Sequence, residues 1–270
     1  MGETEIETLA SEIFGLLGTG RQVPPVSSRM TLSLDDAYRV SAALRRMRET
    51  AGQTVLGRKI GFTNRTIWPE YKVYAPIWGY IYDSTVHNLA GLQGPFSISH
   101  LSEPRLEPEI MFKFAAAPKP GMSDHALLDC IEWVSHGFEI VQSLYPGWVF
   151  SAADTVAAYG LHGALFLGPP TTIAGAADYW QRQLAGFEID LMRDGAFVDH
   201  GKAANVLDGP VKALQHLIAL LAQQDVHPPV AAGEIVTTGT LTRAFPIAPG
   251  ETWHTQLSRE ILPGARISFR

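Results

Sequence analysis

The sequence predicts an α+β fold, with a small helical unit over residues 1–54 and a strand-rich body over 55–270. Three observations carry this prediction. Apolar residues recur at helical spacing through the first fifty positions; short β-branched and aromatic runs punctuated by Gly and Pro follow; and a few amphipathic stretches interrupt those runs. In the first unit, Ile6, Leu9, Ala10, Ile13, Phe14 and Leu17 share one helical face, which Gly18 and Gly20 end. A second helix starts at Ser33, with Asp36 completing a capping pair three residues on. Its apolar face is Ala37, Val40, Leu44 and Met47, and Gly52 closes it. The Pro24-Pro25 loop separates the two.

Strands are expected at 55–62, 78–82, 107–114, 138–144, 164–167, 187–193, 197–200, 234–242 and 265–269. Asp194-Gly195 is a hairpin turn between two of them. Helices are expected at 123–135, 152–159 and 210–224. The last opens on Pro210 and places Val211, Leu214, Leu217, Ile218 and Leu221 on one face.

Composition limits the function classes. The chain has 270 residues, 46% hydrophobic and 18% charged, with a formal net charge of −6 and no basic cluster. A packed globular body is implied, and a nucleic-acid partner is excluded for want of a stripe to neutralise phosphates. The opening Met1-Gly2-Glu3-Thr4-Glu5 lacks a signal peptide's cationic start, and no apolar run approaches the roughly 20 residues that span a bilayer. Cys130 is the single cysteine, so neither an intrachain disulfide nor a cysteine-based zinc site forms; it reads as a small buried hydrophobe within a helical pattern. A cytoplasmic protein with no membrane partner is expected.

The chemistry concentrates in Pro104-Arg105-Leu106-Glu107-Pro108-Glu109-Ile110-Met111. On a strand, Glu107 and Glu109 point the same way, about 7 Å apart at Cα, while Ile110, Phe112 and Phe114 face apolar packing. Such a pair is either a solvated strand face or half of a site for a hard divalent cation. Oxygen-only ligation would suit Mg²⁺ or Mn²⁺. Glu139 lies in an otherwise apolar strand, His136-Gly137-Phe138-Glu139-Ile140-Val141, where a carboxylate needs either an arginine or a metal. Lys59, between Gly57 and Gly61, is either a strand-edge lysine or an acid/base whose pKa burial and a nearby cation lower. Asp83, ending Tyr80-Ile81-Tyr82-Asp83, is equally readable as a turn residue. No nucleophile elbow, P-loop, dinucleotide fingerprint or His-Glu-x-x-His motif competes.

These segments, in this order, resemble the 2-keto-4-pentenoate hydratase and 4-oxalocrotonate decarboxylase family of the fumarylacetoacetate hydrolase superfamily. The similarity runs through Gly57–Thr63, Ala75–Asp83, Arg105–Ile110, Glu139–Ser143, Asp154–Ala157 and Thr238–Thr242, and so over nearly all of residues 30–270. Its most specific part is the Glu-x-Glu pair with a third glutamate 30 residues later. The resemblance implies a mixed β-roll in which Glu107, Glu109 and Glu139 hold a divalent ion, Lys59 serves as acid/base, and Asp83 assists it or orients water. It also implies a small keto-acid substrate bound through its carboxylate and 2-oxygen, with Thr240 among the contacts, and a homo-oligomer. Hydration of a 2-hydroxydienoate ranks first, decarboxylation of a 2-oxo-enedioate second, and C–C hydrolysis third for want of a visible His–Glu pair. Two departures concern the substrate: Gln142-Ser143-Leu144 replaces the family's Asp-Ser-Arg, and Ala158-Tyr159-Gly160-Leu161-His162 replaces Asp-Asn-x-Ser. Tyr159 and His162 either supply substitute polar contacts to the substrate or simply pack.

Overall fold

The computed structural model describes all 270 residues. Helices α1 (Glu3–Phe14) and α2 (Leu34–Thr50) form the N-terminal unit, and Ser33 caps α2 by accepting from the Asp36 amide at 3.1 Å. The strands β1 (Val55–Gly61), β2 (Ile77–Tyr82) and β3 (Val86–Asn88) follow, with the short α3 (Trp68–Tyr71) between the first two. Then come β4 (Arg105–Phe114), α4 (Asp124–Leu128), β5 (Ile131–Val141), α5 (Ala152–Ala157), β6 (His162–Leu167), β7 (Thr171–Thr172) and α6 (Ala177–Ala185). The chain closes with β8 (Glu188–Arg193), β9 (Ala196–Lys202), α7 (Pro210–Leu221), β10 (Ile235–Thr237), β11 (Phe245–Pro246), β12 (Thr252–Leu257) and β13 (Arg266–Ser268). No helix is long and apolar enough to cross a membrane.

One curled mixed sheet has the order β2-β1-β10-β4-β5-β6-β3, with β11 on β4 and β7 on β5; a second sheet runs β13-β12-β8-β9. The β1–β10 and β3–β6 pairs are parallel and the remaining pairs antiparallel. The β8–β9 hairpin turns at Asp194-Gly195, whose φ values of 53° and 83° are the left-handed pair that a two-residue turn demands. Between the sheets, Leu106, Phe138, Ile140 and Phe166 pack on Leu191, Trp253 and Ile267. Outside the curl, Ile110, Phe112 and Phe114 join the main core, where α1 (Ile6, Leu9, Ile13) and α2 (Val40, Leu44) also bury their faces. The β4 alternation thus seals one strand face in hydrocarbon and turns Glu107, Glu109 and Met111 into the curl.

Two expected elements are redrawn. The helix predicted over 123–135 stops at Leu128, Cys130 sits in the turn after it, and the chain continues as β5 from Ile131. A short apolar run does not distinguish helix from buried strand; ten residue pairs with β4 decide for the strand. The strand predicted over 234–242 ends at Thr237, because Gly239 turns to φ 97° and gives its amide to Glu109 Oε2 at 2.8 Å.

Candidate metal site and active cleft

The β4–β5 register sets Glu107 directly opposite Glu139, with Glu109 one pleat further along. One oxygen from each of the three carboxylates lies within 4.8 Å of the other two. Glu109 and Glu139 are fully buried, and Glu107 is 9% exposed, facing the cleft. Lys59 arrives from β1 through register partners Thr237 on β10 and Gly79 on β2. Its ammonium is 3.2 Å from Glu139 Oε2 and 2% exposed.

Three buried carboxylates against one ammonium leave an excess of negative charge. Burial, and then the neighbouring carboxylates, push Glu107 up to about 7 and Glu109 well above the carboxylate range. Glu139 goes the other way: burial opposes its charge, but Lys59 and His162 outweigh burial and hold it low. In the ion-free site Lys59 departs from the lowered pKa that the sequence reading expects beside a cation. Burial alone acts in that direction, yet Glu139, Glu107 and Glu109 more than offset it, and the ammonium is held above its ordinary range.

This arrangement fits a divalent cation. Glu109 Oε1 is buried without a hydrogen-bond donor, as is the adjacent Thr237 hydroxyl, and Glu139 Oε2 has only the Lys59 ammonium beside it. Unsatisfied buried oxygens of one sign, converging on one point, are what a hard cation satisfies. Glu107, Glu109 and Glu139 are therefore the residues that can hold it.

Beside the carboxylates a narrow cleft of about 30 Å³ is walled by Phe62, Ile67, Tyr71, Val141, Trp148 and Leu161, with Lys59 and Glu107 at its base. Phe62, Trp148 and Leu161 all adopt positive φ, between 53° and 64°. Left-handed backbone at bulky non-glycine residues is strained, and it concentrates here around one cleft. The motif reading did not reach these wall residues. Gly147 and Gly160, the only local signals, mark turns without saying that aromatic side chains turn with them.

Other expected site residues lie elsewhere. Asp83 is exposed in the β2–β3 turn, where its Oδ1 accepts from the Thr54 and Ser84 amides. It stands four residues along β2 from Gly79, the register partner of Lys59, hence about 13 Å away. The turn reading holds and the catalytic one is withdrawn. His162 does not line the cleft; its Nδ1 donates to Glu139 Oε1 at 2.8 Å and its Nε2 pairs with Thr85 Oγ1 at 2.9 Å. Tyr159 is buried behind the cleft near Arg48, its hydroxyl unpaired. Thr240 is buried and gives its hydroxyl to Thr242 O at 3.0 Å. Strand alternation finds carboxylates, but which strand lies behind a ligand is a tertiary fact, and His162 and Thr240 fall on that side.

Comparison with known proteins agrees with this geometry. No protein-family model matches the chain. A 2-hydroxypent-2,4-dienoate hydratase of Pseudomonas putida is 30% identical over 219 residues, covering 80% of this chain and 96% of the relative. A 4-oxalocrotonate decarboxylase of Pseudomonas sp. (strain CF600) is 30% identical over 222 residues, covering 82% and 80%. Among solved structures, a 4-oxalocrotonate decarboxylase from Pseudomonas putida G7, complexed with magnesium and adipate, shares the fold with a TM-score of 0.88 over 100% of this chain and 99% of that one, at 24% identity. The chain therefore belongs to the 2-keto-4-pentenoate hydratase and 4-oxalocrotonate decarboxylase family and has the mixed β-roll of the fumarylacetoacetate hydrolase superfamily.

Proposed function

We propose that this protein is a Mg²⁺- or Mn²⁺-dependent lyase that adds water to a 2-hydroxy-2,4-dienoate, giving a 4-hydroxy-2-oxo acid. The observation that carries the reading is the cross-strand Glu107–Glu139 pair with Glu109, all buried, beside Lys59 at the base of an apolar cleft. A dication held by the three carboxylates supplies Lewis-acid stabilisation of negative charge on the substrate's 2-oxygen. Lys59 holds the proton that moves between that oxygen and the dienoate carbons, and its ammonium form makes it a donor first. His162, itself fixed by Thr85, orients Glu139. Phe62, Trp148 and Leu161 give the cleft an apolar wall beside Lys59 and Glu107, with room left for the reacting water.

The cleft walls favour hydration over decarboxylation of an enedioate. A second substrate carboxylate would need a cation at the far end, and Lys59 is the only cationic residue lining the cleft. Nearby Arg105 is engaged by the Tyr71 hydroxyl at 2.5 Å and lies over the Trp148 ring. The test is a spectrophotometric assay of 2-hydroxypentadienoate decay with and without Mg²⁺, followed by product mass. Metal-dependent decay with a gain of one water supports the reading; loss of CO₂ from 4-oxalocrotonate without hydration of the monoacid overturns it. The expected homo-oligomer and cytoplasmic location stay part of the proposal, and light scattering of the purified protein checks the first.

A further inference from the structure

A second polar cavity, of about 260 Å³, lies between α2 and the β3–β6 edge of the large sheet, behind Glu139 and away from the cleft. Arg48, Ser84, Thr85, His87, His100 and His162 line it. Arg48 is the unusual member. It is 3% exposed, yet no carboxylate comes within 4.0 Å of it, whereas the chain's other buried arginine, Arg58, meets Glu234 at 3.4 Å. Its Nε donates to Gln53 Oε1 at 2.8 Å and one terminal nitrogen to Ser84 Oγ at 3.3 Å, both neutral partners. The guanidinium stacks 3.7 Å from the Tyr82 ring centre, which fixes its plane. The nearest acid, Asp83, spends its Oδ1 on the turn amides.

A buried guanidinium without a counter-ion is costly, and ring stacking offsets only part of that cost. Here the fork is held by Gln53 and Ser84 at the wall of a cavity many times the roughly 10–15 Å³ that admits one water. The imidazoles of His87 and His100 stand at the same wall, whereas the hydroxyls of Ser84 and Thr85 and both nitrogens of His162 are already bonded within the protein. A small oxoanion answers the remaining terminal nitrogen of the guanidinium and these two imidazoles together.

We propose that this cavity is a second binding site, for a small oxoanion carrying a carboxylate or phosphate, separate from the metal cleft and independent of the reaction assigned to it. The wall between the two sites is His162 itself, bonded to Thr85 on one side and Glu139 on the other. An occupant would sit one side chain behind the metal-site carboxylates without touching them.

The experiment titrates pyruvate and, separately, inorganic phosphate into the full chain with magnesium present and again with chelator, following heat and thermal unfolding. With chelator the cleft offers an anion no metal, and variants at Arg48 and Ser84, which line only the second cavity, assign any remaining saturable response to it. Ser84→Asp places a carboxylate beside Arg48 and fills the vacancy from within. We expect it to fold at least as stably as wild type and to weaken the anion response by about tenfold or more. Arg48→Gln should abolish the response wherever it folds. A preference for pyruvate assigns a carboxylate occupant and a preference for phosphate assigns a phosphate; both support the site. No saturable response to either anion, or an undiminished response in Ser84→Asp, overturns it.

Discussion

At the scale of single residues, Lys59 and the three glutamates form one electrostatic unit, and their predictions separate by role. Lys59→Met should lower kcat by roughly 10²–10⁴-fold, the usual worth of a positioned acid/base. Magnesium affinity should hold or rise, because a cation beside the site has been removed; near wild-type kcat on the best dienoate would overturn the assignment. Glu109→Gln keeps the shape but loses a ligand charge, and calorimetric Mg²⁺ affinity should fall by about tenfold or more. Acidity acts on the same oxygens. Glu107 is raised to about 7 and Glu109 above its ordinary range, so in the ion-free protein protons occupy carboxylates that the metal needs deprotonated. Magnesium binding should release protons and weaken as pH falls through about 7. Equal apparent affinity at pH 8 and pH 6 would contradict this.

At the scale of elements, the cleft depends on backbone that approaches without side chains. A Cβ at Gly79 would stand 2.6 Å from Tyr159 O and 2.9 Å from its carbonyl carbon, both backbone atoms that cannot swing aside. Gly79→Ala should push the Tyr159–Leu161 turn off β2, costing about 1–3 kcal/mol of stability. Because Leu161 walls the cleft and Gly79 faces Lys59 in register, kcat should fall even where the variant stays folded. Denaturant unfolding beside steady-state kinetics reads both; a fully active variant would show that the close approach is dispensable. The cleft's 30 Å³ has room for about two waters beside the carboxylates.

At the scale of the whole molecule, metal and protons both act on folding. A cation that binds only the folded carboxylate triad should raise the melting temperature with its concentration, and Glu109→Gln should remove most of that rise. His227 adds an acid-sensitive tie between the N-terminal unit and the body: its Nε2 bonds Tyr38 O at 3.0 Å on α2, and its Nδ1 lies 2.9 Å from the Tyr80 hydroxyl on β2. Burial lowers its pKa to about 4. The unfolded chain therefore binds a proton there that the folded chain refuses, and stability contributed by the neutral ring is lost as pH falls from about 6.5 to about 4. Across that window His227→Gln should flatten the stability–pH curve by up to about 1.4 kcal/mol per pH unit relative to wild type. Parallel curves would assign the acid sensitivity to other groups.

What the sequence determined by itself was local and periodic. Alternation along β4 put Glu107 and Glu109 on one face and sealed Ile110, Phe112 and Phe114 on the other, because a strand's pleat leaves no other choice. Glu139 in an apolar run demanded a charged partner, Asp194-Gly195 demanded a hairpin, and Ser33 with Asp36 demanded a helix start. Tertiary structure decided what meets what. Only the β4–β5 register sets Glu139 opposite Glu107, and only the β1–β10–β4 order brings Lys59 to them across 48 and 80 residues of chain. Asp83 left the site because strand length carried it past the sheet end, and His162 moved from substrate contact to support of Glu139 because β6 pairs alongside β5. Side-chain type and spacing report which groups need partners; the distances at which charges cancel exist only after the sheet has curled.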